Sequence, residues 1–424
     1  MPNTGSTIEE SLLDRLSPAS SLTDTAIRLR DNVAALVPEM HAQAAAAERQ
    51  GAITDEISRA LARLGVFDMG KPEDFGGLAS GARDLIEVLA AVGRGDGSAG
   101  WLTATATNND MLALAYPRET VEEIFTSGTA PIGPRLVAAS IFARQIGEAR
   151  ATEGGWLLTG KWGFASGCRT AEWSMVGADY VTEDGTHSRG LALIPRDDYE
   201  ILDDWKVSGM AATSSNSIVV EEEVFVPARR FIDLRRMPAM MDALQDHYTG
   251  VAYGWRAEAR IVVVTMNLAA VALGMAQGAL ECLASQAPAR TPFNLPYPTI
   301  ADAPGTQIVA GRVRAGVDAA RAVVERIADG IDRISAEGLD FTPAEASRLH
   351  MDLVFAIRLC SEAIVDAEVA LGSSAAALSN PVQRYARDIR VLASHGAIRF
   401  DPLAEINGRD VLGRPPLPPP GAPA

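Results

Sequence analysis

The chain has 424 residues, 47% of them hydrophobic and 22% charged, which is enough length and apolar content for two or three packed units. Its formal net charge of −16 disfavours nucleic acid and anionic membrane as partners. Cys168, Cys282 and Cys360 lie far apart with no CxxC, and the five histidines are scattered with no HExxH. That pattern argues against a disulfide framework and against a metal site, and it fits a reducing cytoplasm.

Residues 1–22 carry no basic segment followed by an apolar core, so they do not read as a secretion signal. Their Ser and Thr content reads as a flexible arm. A helical pattern runs from Thr23 to about Gln50. Thr54 with Asp55 and Glu56 reads as a helix start, and Gly65 as its stop. Met69–Gly77 is a loop punctuated by Pro72 and glycines. Helices are expected at Asp84–Val92, near Gly100–Ala115, and at Arg118–Phe125. Gly93, Gly95 and Gly97 follow a helix rather than a strand, so they read as a helix–helix connection and not as a dinucleotide fingerprint. Residues 23–129 thus form a helical domain.

The character changes over 130–236. Short β-branched and aromatic runs recur at Ile132–Ala139, Trp156–Phe164, Trp173–Tyr180, Gly190–Ile194, Glu200–Trp205 and Ser217–Val226. They predict a small antiparallel β domain. Over 237–413 the helices return, at Tyr253–Ala287, Asp302–Glu337, Pro343–Ser379 and Pro381–Gly396, as an antiparallel bundle. The longest apolar run, Ile261–Ala276, is shorter than the roughly 18 residues a membrane span needs and reads as a buried bundle helix. Residues 414–424 are Pro-rich and read as a disordered tail.

Two stretches carry chemistry. In Trp156–Gly177 a strand is expected to turn at Thr159-Gly160. Trp162 and Phe164 then point one way, and Gly163 and Ala165 leave the other side bare before Ser166-Gly167. Such a pattern suits a backbone lying close to a flat ring, with Phe164 over its face and the Ser166 hydroxyl at its edge. A hairpin corner with a solvated serine is the plainer reading of the same pattern. Downstream, the loop around Thr213, Ser214 and Ser215 offers hydroxyls and N–H groups to a phosphate or a ring edge, or is simply solvated. The second stretch is Val382–Gly396 with its Gln-Arg-x-x-Arg-Asp run and His395, followed by Asp401, Asn407-Gly408-Arg409 and Gly413. Taken alone, Arg384, Arg387 and Asp388 read as a solvated or ion-paired helix face, and His395 as a satisfied histidine.

These residues together resemble the acyl-CoA dehydrogenase superfamily. The stretch 156–177 is similar to its flavin-facing strand pair. Pro72–Gly77, the Ser98-Ala99-Gly100-Trp101 helix start and Trp205–Val220 followed by Val224–Pro227 are similar to other segments of that family, although Ala211-Ala212 stands where Arg-Gly is usual. Ser166-Gly167-Cys168 and the run ending at His395 and Gly413 resemble its oxygenase branch, the reduced-flavin-dependent two-component monooxygenases such as the hydroxylases of 4-hydroxyphenylacetate and related phenols. The resemblance implies a mainly α fold with a central β domain: an N-terminal helical domain, an antiparallel β-barrel and a C-terminal four-helix bundle, assembled as a homotetramer. It implies an oxygenase component that takes reduced FMN, with FAD as the alternative, from a separate NAD(P)H:flavin reductase. With O2 it would hydroxylate a small aromatic, indole-type or amine substrate through a C4a-hydroperoxyflavin.

By the same resemblance Ser166 and His395 are the catalytic pair, Ser166 holding the flavin N5–H and His395 moving a proton. Phe164, Gly167, Ser140, Thr213, Ser214 and Ser215 join Ser166 around the flavin, and Trp101, Asn108 and Asn109 line the substrate site. Asn109 stands where phenol hydroxylases carry a substrate-binding histidine, and an amide takes no proton at neutral pH. A dehydrogenase would need a carboxylate to take an α-proton. The two positions where that family places it hold Gly396 and, near it in the first bundle helix, Val264. The alternatives are an acyl-CoA dehydrogenase-like oxidoreductase and a flavin-binding protein without turnover.

Overall fold

The computed structural model describes residues 22–126, 133–141, 146–243, 247–415 and 417. The arm at 1–22, apart from its last residue, and most of the tail at 414–424 lie outside them. The N-terminal helices are α1 (Asp24–Gln50), α2 (Asp55–Leu64), α3 (Ala82–Gly95), α4 (Gly97–Ala113) and α5 (Arg118–Thr126). Their ends are written locally. Thr23 caps α1 by accepting from the Ala26 N–H, and its hydroxyl donates to Asp84 at 2.6 Å, pinning α1 to α3. Gly51 and Gly65 close α1 and α2 in the left-handed region, where glycine carries no steric penalty.

After the β region come α6 (Met237–Asp242), α7 (Ala257–Gln286), α8 (Pro304–Ala336), α9 (Pro343–Ala370), α10 (Pro381–Ala393) and α11 (Phe400–Val411). Helix α7 is the axis of the molecule, packed against α3 on one side and α9 and α8 on the other. With the turn that follows, at Ala257–Ala289, it is long and apolar enough to cross a membrane, with a mean hydropathy of 1.8. Within this fold 89% of that window is buried. Helix α9 ends at Ala370 rather than near Ser379, so the bundle has three long helices and a 13-residue fourth, α10. The start of α9 is fixed by a capping box in which Thr342 and Glu345 satisfy each other's backbone N–H.

The glycines of the 93–97 connection serve packing. A Cβ on Gly93 would stand 2.6 Å from the Val271 carbonyl, and one on Gly274 would stand 2.0 Å from the Ala90 carbonyl, so α3 and α7 cross backbone to backbone. Asp96 then caps α4, accepting from the Ala99 N–H at 2.9 Å, which starts that helix three residues earlier than its pattern suggested. A Cβ on Gly97 would lie 2.6 Å from Met275 Sδ and 2.8 Å from Asp388 Oδ2. Gly97→Ala is therefore expected to lower stability by about 1–3 kcal/mol, the usual range for overpacking a filled site. Urea denaturation measures it, and an unchanged midpoint would mean that Met275 swings aside without strain.

The β region departs most from expectation. Its strands are β1 (Leu136–Ala139), β2 (Gly147–Thr152), β3 (Gly155–Trp162), β4 (Trp173–Val181), β5 (His187–Pro195), β6 (Glu200–Ile201), β7 (Ile218–Pro227) and β8 (Phe231–Asp233). They form one sheet in the order β6-β7-β3-β2-β4-β5-β8, with β1 also on β4. The sheet is open, not a closed barrel, and it is mixed, because β1 and β2 both run parallel to β4 and share one of its edges. Both ends of the path are very short strands, β6 and β8, which cannot reach round to pair. Thr159-Gly160 is not a turn: the chain passes straight through, with a register shift between Leu158 and Gly160 whose extra residues, Glu221–Glu223, lie on β7, and Gly147 and the Trp162 ring pack against Gly160 too closely for a side chain. Trp162 is fully buried and donates its Nε1–H to the Gly177 carbonyl at 2.7 Å. Strand β3 ends there, so Phe164 does not share its face.

Candidate functional site

Where β3 ends, the backbone is strained. Ser140, Phe164, Met210 and Ser214 have positive φ, four of the six such non-glycine residues among the described part of the chain. That conformation is uncommon for residues with a Cβ, and it clusters where the surroundings hold a side chain in a set place. Here the surroundings are hydrogen bonds. The Ser140 hydroxyl donates to the Gly163 carbonyl at 2.8 Å. The Gly167 N–H, itself at φ +85°, donates to the Thr213 carbonyl at 2.8 Å, and the Cys168 thiol donates to the Ser214 carbonyl at 3.2 Å. The corner at 163–168 and the loop at 208–216 are thus tied as one body. Phe164 is turned outward and left 69% exposed, touched edge-on by Trp205.

From this body a line of hydroxyls reaches the surface, and its direction can be deduced. The Thr213 hydroxyl donates to the Met210 carbonyl at 2.8 Å. Having one hydrogen, it can only accept from Ser215, 2.7 Å away. Ser215 has then spent its hydrogen, so in its 2.7 Å contact with Ser166 it accepts. Ser166 therefore gives its proton inward and shows an oxygen outward. One lone pair takes the Trp101 Nε1–H at 3.0 Å, and the other remains to accept. Thr213 and Ser215 are buried, and Ser166, half-buried, stands at the open end.

His395 lies against the far side of Trp101, ring centroids 5.3 Å apart and edge to face. It caps the turn after α10, with Nδ1 accepting from the Ala397 N–H at 3.4 Å. Partial burial against its neighbours lowers its pKa although one edge is exposed, so at neutral pH the ring is uncharged with its proton on Nε2. Trp101, Thr105 and Leu112 form the partly exposed stripe of α4 at helical spacing. Asn108 shares that spacing and bridges to α7, donating to the Val264 carbonyl at 3.3 Å and accepting from Asn267 at 2.8 Å. Asn109 turns away, toward the Leu136 carbonyl of β1 at 3.4 Å. Of the two amides, Asn108 links α4 to α7, whereas Asn109 fastens α4 to the sheet.

Helix α10 braces the loop from below. The Asp388 carboxylate accepts from the Met210 N–H at 2.6 Å, and the Arg387 guanidinium donates to the Ser208 carbonyl at 2.8 Å and to Glu48 at 2.7 Å. Arg384 sits 3.7 Å from Asp96, both almost fully buried. This is a buried network, not the solvated face that the sequence alone allowed. Burial first, and then the neighbouring Asp96, push the Asp388 carboxyl up to about 7, against the opposing pull of the Met210 N–H and Arg384.

The structure brings Ser166, Ser215, Thr213, Trp101 and His395 together, with Phe164, Gly167 and Ser140 around them. Ser214 enters only through its backbone, its carbonyl held by Cys168. Asp401, Asn407 and Arg409 lie on α11, which packs on α9 through Asn407 and the Ser347 carbonyl. Asp388 and Met210 were missed as site-forming residues. The available signal was a buried-type acid inside an amphipathic helix, which periodicity reports as an ion pair. Neither Val264 nor Gly396 brings a carboxylate to Trp101, and the Val264 carbonyl is taken by Asn108.

A reduced flavin fits this donor set. The outward oxygen of Ser166 suits a ring N–H, and the exposed Phe164 ring beside it offers a flat apolar face. Comparison with known proteins agrees. Residues 23–152 match the acyl-CoA dehydrogenase N-terminal domain and residues 266–400 its C-terminal domain, together more than half of the chain. The oxygenase component of the FADH2-dependent resorcinol hydroxylase of Rhizobium sp. (strain MTP-10005) is 26% identical over 412 residues, 94% of this chain and 98% of that protein. HsaA of Mycobacterium tuberculosis, the oxygenase subunit of a flavin-dependent monooxygenase, is 28% identical over 387 residues, 90% and 94% of the two chains. The solved structure of XiaF from Streptomyces sp., in complex with FADH2 and glycerol, superposes with a TM-score of 0.85 at 26% identity, covering 93% of this chain and 97% of that one. The chain belongs to the acyl-CoA dehydrogenase superfamily, on the branch of flavin-dependent monooxygenases that use reduced flavin.

Proposed function

We propose that this chain receives reduced flavin from a separate NAD(P)H:flavin reductase and hydroxylates a small aromatic whose polar group stays neutral, of the indole or aromatic-amine type. Bound reduced flavin supplies the two electrons with which O2 gives one atom to the substrate and the other to water. The chain's residues then have separable tasks. Ser166 accepts the ring N–H at N5 and holds that proton in place, so that oxygen is not shed early as H2O2. Phe164 covers one face of the ring. His395, with its ring neutral, donates a hydrogen bond from Nε2–H to the oxygen atom that leaves as water. Trp101 stands between the two and, with the apolar wall of α7, keeps water out.

The single observation that carries this reading is the direction of the hydroxyl line, which ends in an acceptor at Ser166. The substrate class rests on the amides. Asn108 bridges α4 and α7 one turn beyond Thr105 on the Trp101 side of α4, and an amide can pair with an N–H or a neutral hydroxyl but cannot take a phenolic proton. FADH2 is the first flavin to try, since the resorcinol hydroxylase and XiaF are named with it, and FMN is the alternative. A homotetramer is part of the proposal: Phe293, Ile308, Val369 and Leu378 of the bundle region leave large apolar side chains exposed. A cytoplasmic location is also part of it, suited to three free buried cysteines.

The test combines the protein with a flavin reductase, NADH, FAD and a panel of indoles, phenols and aromatic amines. The expected result is a product heavier by one oxygen, dependent on the reductase. Bleaching of bound oxidised flavin by a fatty acyl-CoA, with no oxygenated product, would instead establish the dehydrogenase reading.

A further inference from the structure

The hydroxyl line ends inward at the Met210 carbonyl, so its direction depends on what holds Met210. That residue is at φ +53°, which a side chain of its size does not adopt unaided. Its N–H is fixed by the Asp388 carboxylate at 2.6 Å, and its carbonyl takes both the Thr213 hydroxyl at 2.8 Å and the Trp205 Nε1–H at 3.1 Å. The loop has no slack here. A Cβ on the preceding Gly209 would lie 2.3 Å from the Arg387 carbonyl, so the loop rests directly on the backbone of α10. The same carboxylate also lies against the helix that carries the other partner of Ser166, Trp101. Its Oδ2 faces Gly97 in the first turn of α4, the helix that carries Trp101. Asp388 thus stands under both elements whose side chains meet at the Ser166 oxygen.

We propose that Asp388, acting through Met210, Thr213 and Ser215, is the positioning residue that keeps the Ser166 oxygen an acceptor and so makes the site prefer reduced over oxidised flavin. The inference rests on the reading that Ser166 meets the flavin N5. In reduced flavin N5 carries a hydrogen and donates, while in oxidised flavin it is bare and could only accept. A line anchored as this one is pairs with the first and opposes the second. If Met210 were released, Thr213 would be free to turn its hydrogen toward Ser215, the whole line could reverse, and Ser166 would donate outward.

The experiment measures the dissociation constants of oxidised FAD and of dithionite-reduced FAD under anaerobic conditions, and takes their ratio. The proteins are wild type, Ser166→Ala, Thr213→Val, Asp388→Asn, Asp388→Ala and the Asp388→Ala/Ser166→Ala double variant. Circular dichroism confirms folding. Wild type is expected to favour reduced FAD. Thr213→Val, which removes the donor to Met210 and frees Ser215, and Asp388→Ala should each narrow the ratio by about fivefold to tenfold, the size expected when one hydrogen bond is lost or reversed. Asp388→Asn retains an acceptor for the Met210 N–H and should stay within about twofold of wild type. In the Ser166→Ala background the Asp388→Ala change should add nothing, as for residues acting in series.

A narrowed ratio in Ser166→Ala beside unaltered ratios in folded Thr213→Val and Asp388→Ala overturns the proposal alone. An unaltered ratio in Ser166→Ala overturns the Ser166 reading and the proposal with it. Should Asp388→Ala not fold, Thr213→Val and Asp388→Asn decide.

Discussion

Replacing Ser166 with alanine is expected to speed the release of H2O2 by about 2- to 12-fold when the protein loaded with reduced FAD meets O2 without substrate, the factor set by one neutral hydrogen bond of about 0.5–1.5 kcal/mol. The cause is local. Ser166 is the outermost member of a line whose hydrogens all point inward, so its loss removes the acceptor and leaves Ser215 and Trp101 behind, neither able to replace it. Trp101 has only a donor, and Ser215 is buried behind the missing side chain. Because the residue is half-buried and small, the fold should hold, and unfolding temperatures of variant and wild type should agree closely. A catalase-coupled oxygen electrode or stopped-flow absorbance reads the rate. Release at the wild-type rate would remove Ser166 from the flavin edge.

Arg384→Met is expected to destabilise the protein by about 3–5 kcal/mol at pH 8, the cost of leaving buried charge without its counterion. Arg384 is the cation beside Asp96 and Asp388, Glu48 being held by Arg387, and burial makes both carboxylates expensive. The pH dependence follows from the raised Asp388 pKa. A carboxyl whose folded pKa lies near 7, above its ordinary value of 3.8, binds more protons folded than unfolded between those limits. Its contribution is fully present below pH 3.8 and is lost as pH rises through about 7. Without Arg384 that folded pKa rises further, so the variant's deficit should shrink at pH 5.5, where Asp388 takes up its proton, and be largest at pH 8. Guanidinium denaturation at the two values measures this. An equal deficit at both would show that protonation of Asp388 does not offset the loss of Arg384.

Much of the helical part was legible because its signals are local. Thr23, Thr54, Gly51 and Gly65 mark helix ends by side-chain capping and by left-handed glycine, which need no partner from elsewhere in the chain. The apolar periodicity of α7 likewise announced a buried helix. The sheet was read less well. Strand β2 reads Gly-Glu-Ala-Arg-Ala-Thr, half exposed and without a β-branched run, so no pattern announced it. With β2 and β8 unseen, the parallel pairings on β4 and the open edges could not follow. Trp162 and Phe164 sit two apart and looked like one face. A left-handed backbone at Phe164 turns one outward and leaves the other in the core.

The sequence by itself determined the order of helical, β and helical units, the absence of a base at positions 264 and 396, and which hydroxyls and imidazole to examine. These are properties of residue type and short-range spacing. Only the tertiary structure decided that Ser166 ends an inward-pointing line anchored at Met210, that Asp388 underlies it, and that Asn108 links α4 to α7 while Asn109 turns toward β1. Each of those depends on where a hydrogen bond between distant segments finds its partner, and the direction of a hydroxyl is fixed only when every neighbour along the line is in place.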